Sequence, residues 1–387
     1  MKSIIKSLAV ALTMSAAMLP QANAQTQGVT DTEVVVGSNV DLSGIFAAFS
    51  ASAIEAANQY FKEVNANGGV HGRSIRLVAE DHGYTMPKAV QNINKLVNSD
   101  EIFVMFLQLG TPMNLASFPL LERKGIPNVS PLSAARQMVE PPAPYKYAAF
   151  SSYYDQLGAG IEFLKDNAGS SVVCAMYIPN DFGKEVQEGA KEAAERLGLE
   201  YGEETTHKGD EQEFTGALTK LREAGCDTIA TALGIRQTIT ALGTAKKLGW
   251  DDVKFIGSSA AFHTAVARVP GGVTDGFYAA AGWPDLNTRM DDPYVQQWAA
   301  SFKEEFGEDP GTGAVLGRSA AEGLVLALEA AGPDLTQESF RAAMENLSYT
   351  DRITGVSVDY GKDDHQGADA IIISRIEGGD WQVVGEE

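Results

Sequence analysis

Catalysis needs reactive groups that converge, and this sequence offers few. The five histidines, His71, His82, His207, His263 and His365, show no spacing that would gather them around a metal ion. Asp363-Asp364-His365 reads as a solvated turn. Gly271-Gly272 and Gly311-Thr312-Gly313 lack the Lys-Ser/Thr partner of a phosphate loop, and no Gly-x-Ser-x-Gly elbow presents a nucleophile. What remains is binding chemistry. Leu109-Gly110-Thr111-Pro112 combines a loop, a hydroxyl and a proline suited to a first helical turn. A hydroxyl beside the free N–H groups of a helix N-terminus can hold a carboxylate. Cys174 lies inside an apolar run and Cys226 just before another, so they read as two unpaired thiols on separate strands.

Such a hydroxyl has to be carried by a frame, and the frame shows as alternation. Strand-like runs at residues 34–40, 74–80, 102–109 and 127–130 are separated by helical patterns at 50–65, 87–97 and 112–124. The near-continuous apolar run at 102–109 suits a strand buried on both faces. After a Pro- and Tyr-rich stretch at 141–154 the pattern restarts. Strands at 171–178, 201–206, 228–233 and 254–257 then alternate with helices at 184–197, 214–224 and 237–248. Repeated β-α units imply parallel sheets covered by helices on both faces, and two sets imply two lobes. Beyond a strand-like run at 276–281 come helical patterns at 293–306, 314–331 and 337–347. Two β segments, 356–360 and 370–376, follow, joined by a polar turn.

The ends and the composition narrow the function. Lys2 and Lys6, an apolar stretch from 8 to 19 and Ala22-Asn23-Ala24 form the pattern of a secretory signal peptide, residues 1–24, cleaved after Ala24. No cysteine follows for a lipid anchor, so a periplasmic location is expected. A formal net charge of −21 repels phosphate backbones and argues against nucleic acid as a partner. At 387 residues the chain suggests two domains.

The stretch Leu42-Ser43-Gly44, the helix after it, Asn65-Ala66-Asn67-Gly68-Gly69-Val70-His71-Gly72-Arg73 and Glu80-Asp81 resemble the type I periplasmic binding proteins of the branched-chain amino acid (Leu/Ile/Val) ABC transporter family. The resemblance continues through Lys124-Gly125-Ile126-Pro127, Ser130-Pro131, Asp181-Phe182-Gly183, Ala330-Ala331-Gly332 and Thr354-Gly355-Val356, from about residue 33 to 376. It implies an α/β fold of two doubly wound parallel-sheet lobes joined by three crossing strands, near 148–150, 279–281 and 351–355. Lobe 1 is then 25–148 plus 281–351, and lobe 2 is 149–280 plus 352–387. It further implies a small-molecule solute trapped between the lobes, a monomer, no cofactor, no enzyme activity, and permease subunits of an ABC importer as partners. A ligand sensor coupled to a receptor or regulatory system, or an exported enzyme, would be the alternatives.

Residue by residue, the resemblance places Leu109, Gly110 and Thr111 at the ligand's carboxylate, with Ser133 and Ala134 as a second contact. Phe49 and Phe182 stand at aromatic wall positions, which Tyr153, Tyr154 and Trp283 would extend. Gly257-Ser258-Ser259-Ala260 falls where amino acid binders carry a glutamate for the ammonium, so Ser259 faces the solute and an acid is missing unless Asp155 replaces it. Arg318 stands where a tyrosine is frequent, and Leu107 where a glycine is usual. These departures point to a carboxylate, aromatic or aliphatic, or an amide, rather than a free α-amino acid.

Overall fold

A computed structural model describes residues 26–387. The expected signal peptide and Gln25 lie outside these residues. The first half of the chain runs β1 (Glu33–Val40), α1 (Ala47–Ala66), β2 (Ser74–Asp81), α2 (Met86–Asn98), β3 (Val104–Phe106), α3 (Thr111–Lys124), β4 (Asn128–Val129) and β5 (Lys146–Tyr147). These strands form one all-parallel sheet in the order β2-β1-β3-β4-β5. β1 sits inside it with almost every residue buried, as its run of valines allows. α3 starts at Thr111-Pro112 and stops at Gly125, whose φ of 65° is a left-handed cap that glycine adopts without strain.

The chain then continues through α4 (Tyr153–Ala168), β6 (Val172–Tyr177), α5 (Asp181–Leu197), β7 (Glu200–Thr206), α6 (Thr215–Glu223), β8 (Thr228–Ala232), α7 (Ile235–Lys247), β9 (Lys254–Gly257), α8 (Thr264–Ala267) and β10 (Tyr278–Ala281). α4, whose N-cap is Ser152, buries Leu157, Ile161 and Leu164 at helical spacing, a pattern absent from the helices read from the sequence above. The helices α9 (Pro293–Phe306), α10 (Thr312–Ala331) and α11 (Gln337–Met344) return to the first lobe. α10 is buried along nearly its whole length, and its Gly313 and Gly317 lie directly on α1: a Cβ at either would collide with the Phe49 or Ala53 carbonyl oxygen. The last strands are β11 (Ser348–Thr350), β12 (Ser357–Asp359), β13 (Ile372–Glu377) and β14 (Asp380–Glu386).

The second sheet has the order β14-β13-β10-β9-β8-β6-β7. It is parallel from β10 to β7, while β13 and β14 add an antiparallel edge. Three passages join the lobes, and the third differs from expectation. Residues 351–355 form the turn of the β11-β12 hairpin, and Val358 and Tyr360 still pack in the first-lobe core. The chain crosses only at about 366–371, beside the first passage, where Ala148 bridges Gln366. The two late β segments therefore belong to different sheets. The crossing at 351–355 is implied by the resemblance, and β11 (Ser-Tyr-Thr) and β12 (Ser-Val-Asp) are too short and polar for the sequence to announce a hairpin there.

The cysteines also correct the sequence reading: Cys174 and Cys226 form a disulfide. β6 and β8 are neighbours, and Cys226 lies just ahead of β8 alongside Cys174. Spacing along the chain carries no information about which strands lie side by side.

Candidate ligand-binding site

The strand order of the first sheet reverses between β1 and β3, and at such a switch point the loops after adjacent strands part to leave a crevice. A cavity of about 90 Å³ lies there, walled on the other side by the loops after β6 and β9. That volume holds several water molecules, and so a compact organic solute.

One end of the cavity is a hydroxyl cluster. Thr111 is the first residue of α3, and its Oγ1 lies 2.8 Å from Ser133 Oγ, both buried. The first-turn N–H groups of a helix have no intrahelical acceptor and carry the positive end of its dipole, so this end favours an anion. Tyr153 joins it from the second lobe. Its backbone N–H donates to the Ala134 carbonyl at 2.6 Å, and burial pushes its hydroxyl up to about 12 against the Ala134 backbone and the Ser133 hydroxyl beside it. The phenol therefore remains a neutral donor at any physiological pH.

Aromatic rings make most of the walls. Phe182 meets Phe46 at 5.7 Å and Tyr153 at 5.4 Å between centroids, and Phe150 packs on Trp283 at 4.8 Å. Phe49 stands edge-on to His263 at 4.4 Å. Phe182 is presented by the start of α5, where the Asn180 side chain accepts from the Gly183 N–H and fixes the turn. Of the residues expected at the site, Phe49, Leu109, Gly110, Thr111, Ser133, Ala134, Tyr153, Phe182 and Ser259 all line this cavity, as does Trp283.

Two expected site residues are not there. Tyr154 points the other way along α4, its hydroxyl donating to Glu192 at 2.5 Å and its ring lying 3.9 Å under the Arg136 guanidinium. Arg318 is buried within the first lobe, where it pairs with Glu63 at 2.9 Å and Glu322 at 2.7 Å and donates to Tyr294 Oη at 2.9 Å. On α10 it is Leu316, Ser319 and Ala320 that face the cavity, so Arg318 falls on another side of the helix. Asp155 is also elsewhere, capping α4 with Ser152.

Sequence reasoning missed Phe46, Tyr84, Phe150, Tyr349 and Asp351, which also line the cavity. Phe46 and Phe150 lie close to recognised positions in sequence. Tyr349 and Asp351 carry no such signal, because their place depends on the β11-β12 hairpin. Asp351 is the one acidic side chain lining the cavity, and its Oδ1 is taken by the N–H groups of Ile353 at 2.8 Å and Thr354 at 3.0 Å. Burial pushes its carboxyl above the usual carboxylate range.

A family profile described as "Periplasmic binding protein" matches residues 33–380, most of the chain. The chain belongs to the periplasmic binding protein family. An "Amino acid binding protein" of Pseudomonas aeruginosa is 21% identical over 200 residues, covering 51% of this chain and 53% of that protein, so the match spans about half of that relative. The "Leu/Ile/Val-binding protein homolog 1" of Brucella suis is 21% identical over 84% of this chain and 86% of its own length. Among solved structures, a fatty acid ABC transporter substrate-binding protein from Thermomonospora curvata superposes with a TM-score of 0.83 at 26% identity, over 93% of each chain. These are binding proteins rather than enzymes.

In this periplasmic binding protein the lobes are shut on one another. Arg136, from the loop after β4, donates through Nε to Glu185 on α5 at 2.7 Å and through Nη2 to Glu188 at 3.0 Å, and its backbone N–H donates to Glu185 at 3.0 Å. At a second seam Thr264 and Thr312, each the first residue of its helix, cap one another. Each backbone N–H donates to the other's hydroxyl, at 3.0 and 3.1 Å.

Proposed function

We propose that this protein captures a small monocarboxylate with an apolar, aromatic or aliphatic body and delivers it to the permease subunits of an ABC importer from the periplasm. The observation that carries the reading is the pairing of Thr111 and Ser133 at the N-terminus of α3, inside a cavity otherwise walled by aromatic rings. The hydroxyls and helix N-terminus suit a carboxylate, and the rings suit an apolar body. An amino acid's ammonium would lack a free acid there. Gly257-Ser258-Ser259-Ala260 offers none, and Asp351 has Oδ1 engaged within its own turn while burial disfavours its charged form. The fatty acid carrier among the similar structures supports this ligand class.

Closure of two lobes over the solute supplies the mechanism, since a permease that recognises the shut form then reads occupancy. A thermal-shift panel tests the ligand class. Benzoate, hexanoate and related acids should raise Tm by several degrees, and leucine, isoleucine and valine should not. Stabilisation by the branched-chain amino acids alone would reject the reading. Co-purification with the cognate permease subunits tests the importer role.

A further inference from the structure

Among the described residues, five that are not glycine have left-handed backbone, and three of them line this one cavity: Tyr84 (φ 54°), Leu107 (φ 51°) and Ser130 (φ 48°). Left-handed backbone is tolerated by small polar residues and is freely adopted by glycine, but for a bulky apolar side chain it is an outlier that surrounding structure must hold in place. Leu107 is the sharpest case. It follows β3 directly, at the base of the loop that climbs to Thr111, and its N–H donates to the Val129 carbonyl at 3.3 Å. Its side chain is 1% exposed and belongs both to the cavity wall and to the first-lobe core with Phe61, Tyr147, Ala320 and Leu324. Glycine at this φ would be relaxed and would leave the cavity open toward that core. The leucine closes it.

We infer that Leu107 is the cavity floor that sets how long a solute the protein accepts. The inference rests on the carboxylate reading above and adds a limit to it: with the carboxylate at Thr111 and Ser133, the far end of the apolar body abuts Leu107. Ser130 is left-handed on the neighbouring strand end and leaves only a short hydroxymethyl group there, so of these two strand ends it is Leu107 that carries the bulk. A side chain wedged between a cavity and a packed core can serve as a length filter, because that packing opposes the rotamer change that would move it aside.

The test is calorimetric titration of straight-chain monocarboxylates from acetate to decanoate into the full-length processed protein, comparing wild type with Leu107→Gly and Leu107→Ala. Wild-type affinity should climb with each added carbon and then collapse at a definite length. In the variants the collapse should move by two or more carbons, and the first acid excluded by wild type should bind at least tenfold more tightly. Thermal melting checks that each variant is folded. If both variants prove too unstable, Leu107→Met keeps the volume on an unbranched, flexible side chain, and the cutoff should lengthen by at least one carbon. A folded variant whose cutoff coincides with that of wild type overturns the inference while leaving the carboxylate reading standing. A wild-type protein that binds none of these acids overturns both.

Discussion

Thr111 and Ser133 share one hydrogen bond in the cavity, so they meet a bound carboxylate as a unit. A hydrogen bond to a charged group is worth about 1.5–3 kcal/mol, which is roughly ten- to a hundredfold in affinity. Thr111→Ala or Ser133→Ala alone should weaken carboxylate binding by that order, and the double variant by less than the product, as titration calorimetry would show. Independent, multiplicative losses would separate the two residues. A second prediction concerns His263, whose Nδ1 accepts from the Ala265 N–H at 3.0 Å, leaving Nε2 to donate to Ala48 of the opposite lobe at 3.4 Å. Burial lowers its pKa from 6.5 to about 4. Its neutral form is the one the folded, shut state holds. As pH falls below about 6.5 the unfolded chain takes up a proton that the folded chain refuses, so stability declines down to about pH 4 and then levels, by roughly 3 kcal/mol. His263→Asn keeps a capping acceptor and should flatten that part of a Tm-against-pH curve; an unchanged curve would mean that His263 is not the group responsible. At this scale the sequence was informative where a residue's role follows from its loop, as for Thr111 and Phe182. It was misleading where the role depends on a helix's rotation about its axis, as for Arg318 and Tyr154.

Among the elements, the alternation of apolar runs with helical patterns located most of the strands and helices, because buried parallel strands and two-sided helices leave distinct periods, though not α4 or the short and edge strands β5, β11 and β14. Strand adjacency leaves no such trace, and the Cys174–Cys226 disulfide between neighbouring parts of the second sheet is invisible in the sequence for that reason. The β11-β12 hairpin, where the resemblance implies a crossing, shows the same gap: which strand pairs with which is not written in the sequence. The disulfide closes a sequence separation of 52 residues. Restricting the unfolded chain over such a loop should stabilise the protein by about 2–4 kcal/mol. Reduction, or Cys174→Ala with Cys226→Ala, should lower the chemical-denaturation stability by that amount. It should leave ligand preference unchanged, since neither cysteine lines the cavity. A changed ligand profile would mean that the disulfide shapes the site.

Taken as a whole, the molecule is two sheets held shut by contacts that an open form would have to surrender. Glu185 is almost wholly buried and is neutralised by Arg136, which remains partly solvated. Removing Arg136 leaves a buried carboxylate unpaired only while the lobes are closed, so its effect should fall on the closed state. Arg136→Ala is expected to speed ligand dissociation about tenfold or more in stopped-flow measurements, with a smaller effect on association. An unchanged dissociation rate would mean that Arg136 and Glu185 do not hold the lobes together. The two-lobed plan was readable from the repeated β-α pattern and from the resemblance spread along the chain. The depth and polarity of the cavity were not, because they come from residues of both lobes and of the late hairpin meeting in space. Whether the cavity holds a carboxylate through Thr111 and Ser133 is tested most directly by native mass spectrometry of the freshly purified full-length protein beside its Thr111→Ala/Ser133→Ala variant. Wild type should retain a small monocarboxylate that the variant loses. A retained branched-chain amino acid, or a carboxylate held equally by both proteins, would contradict that role.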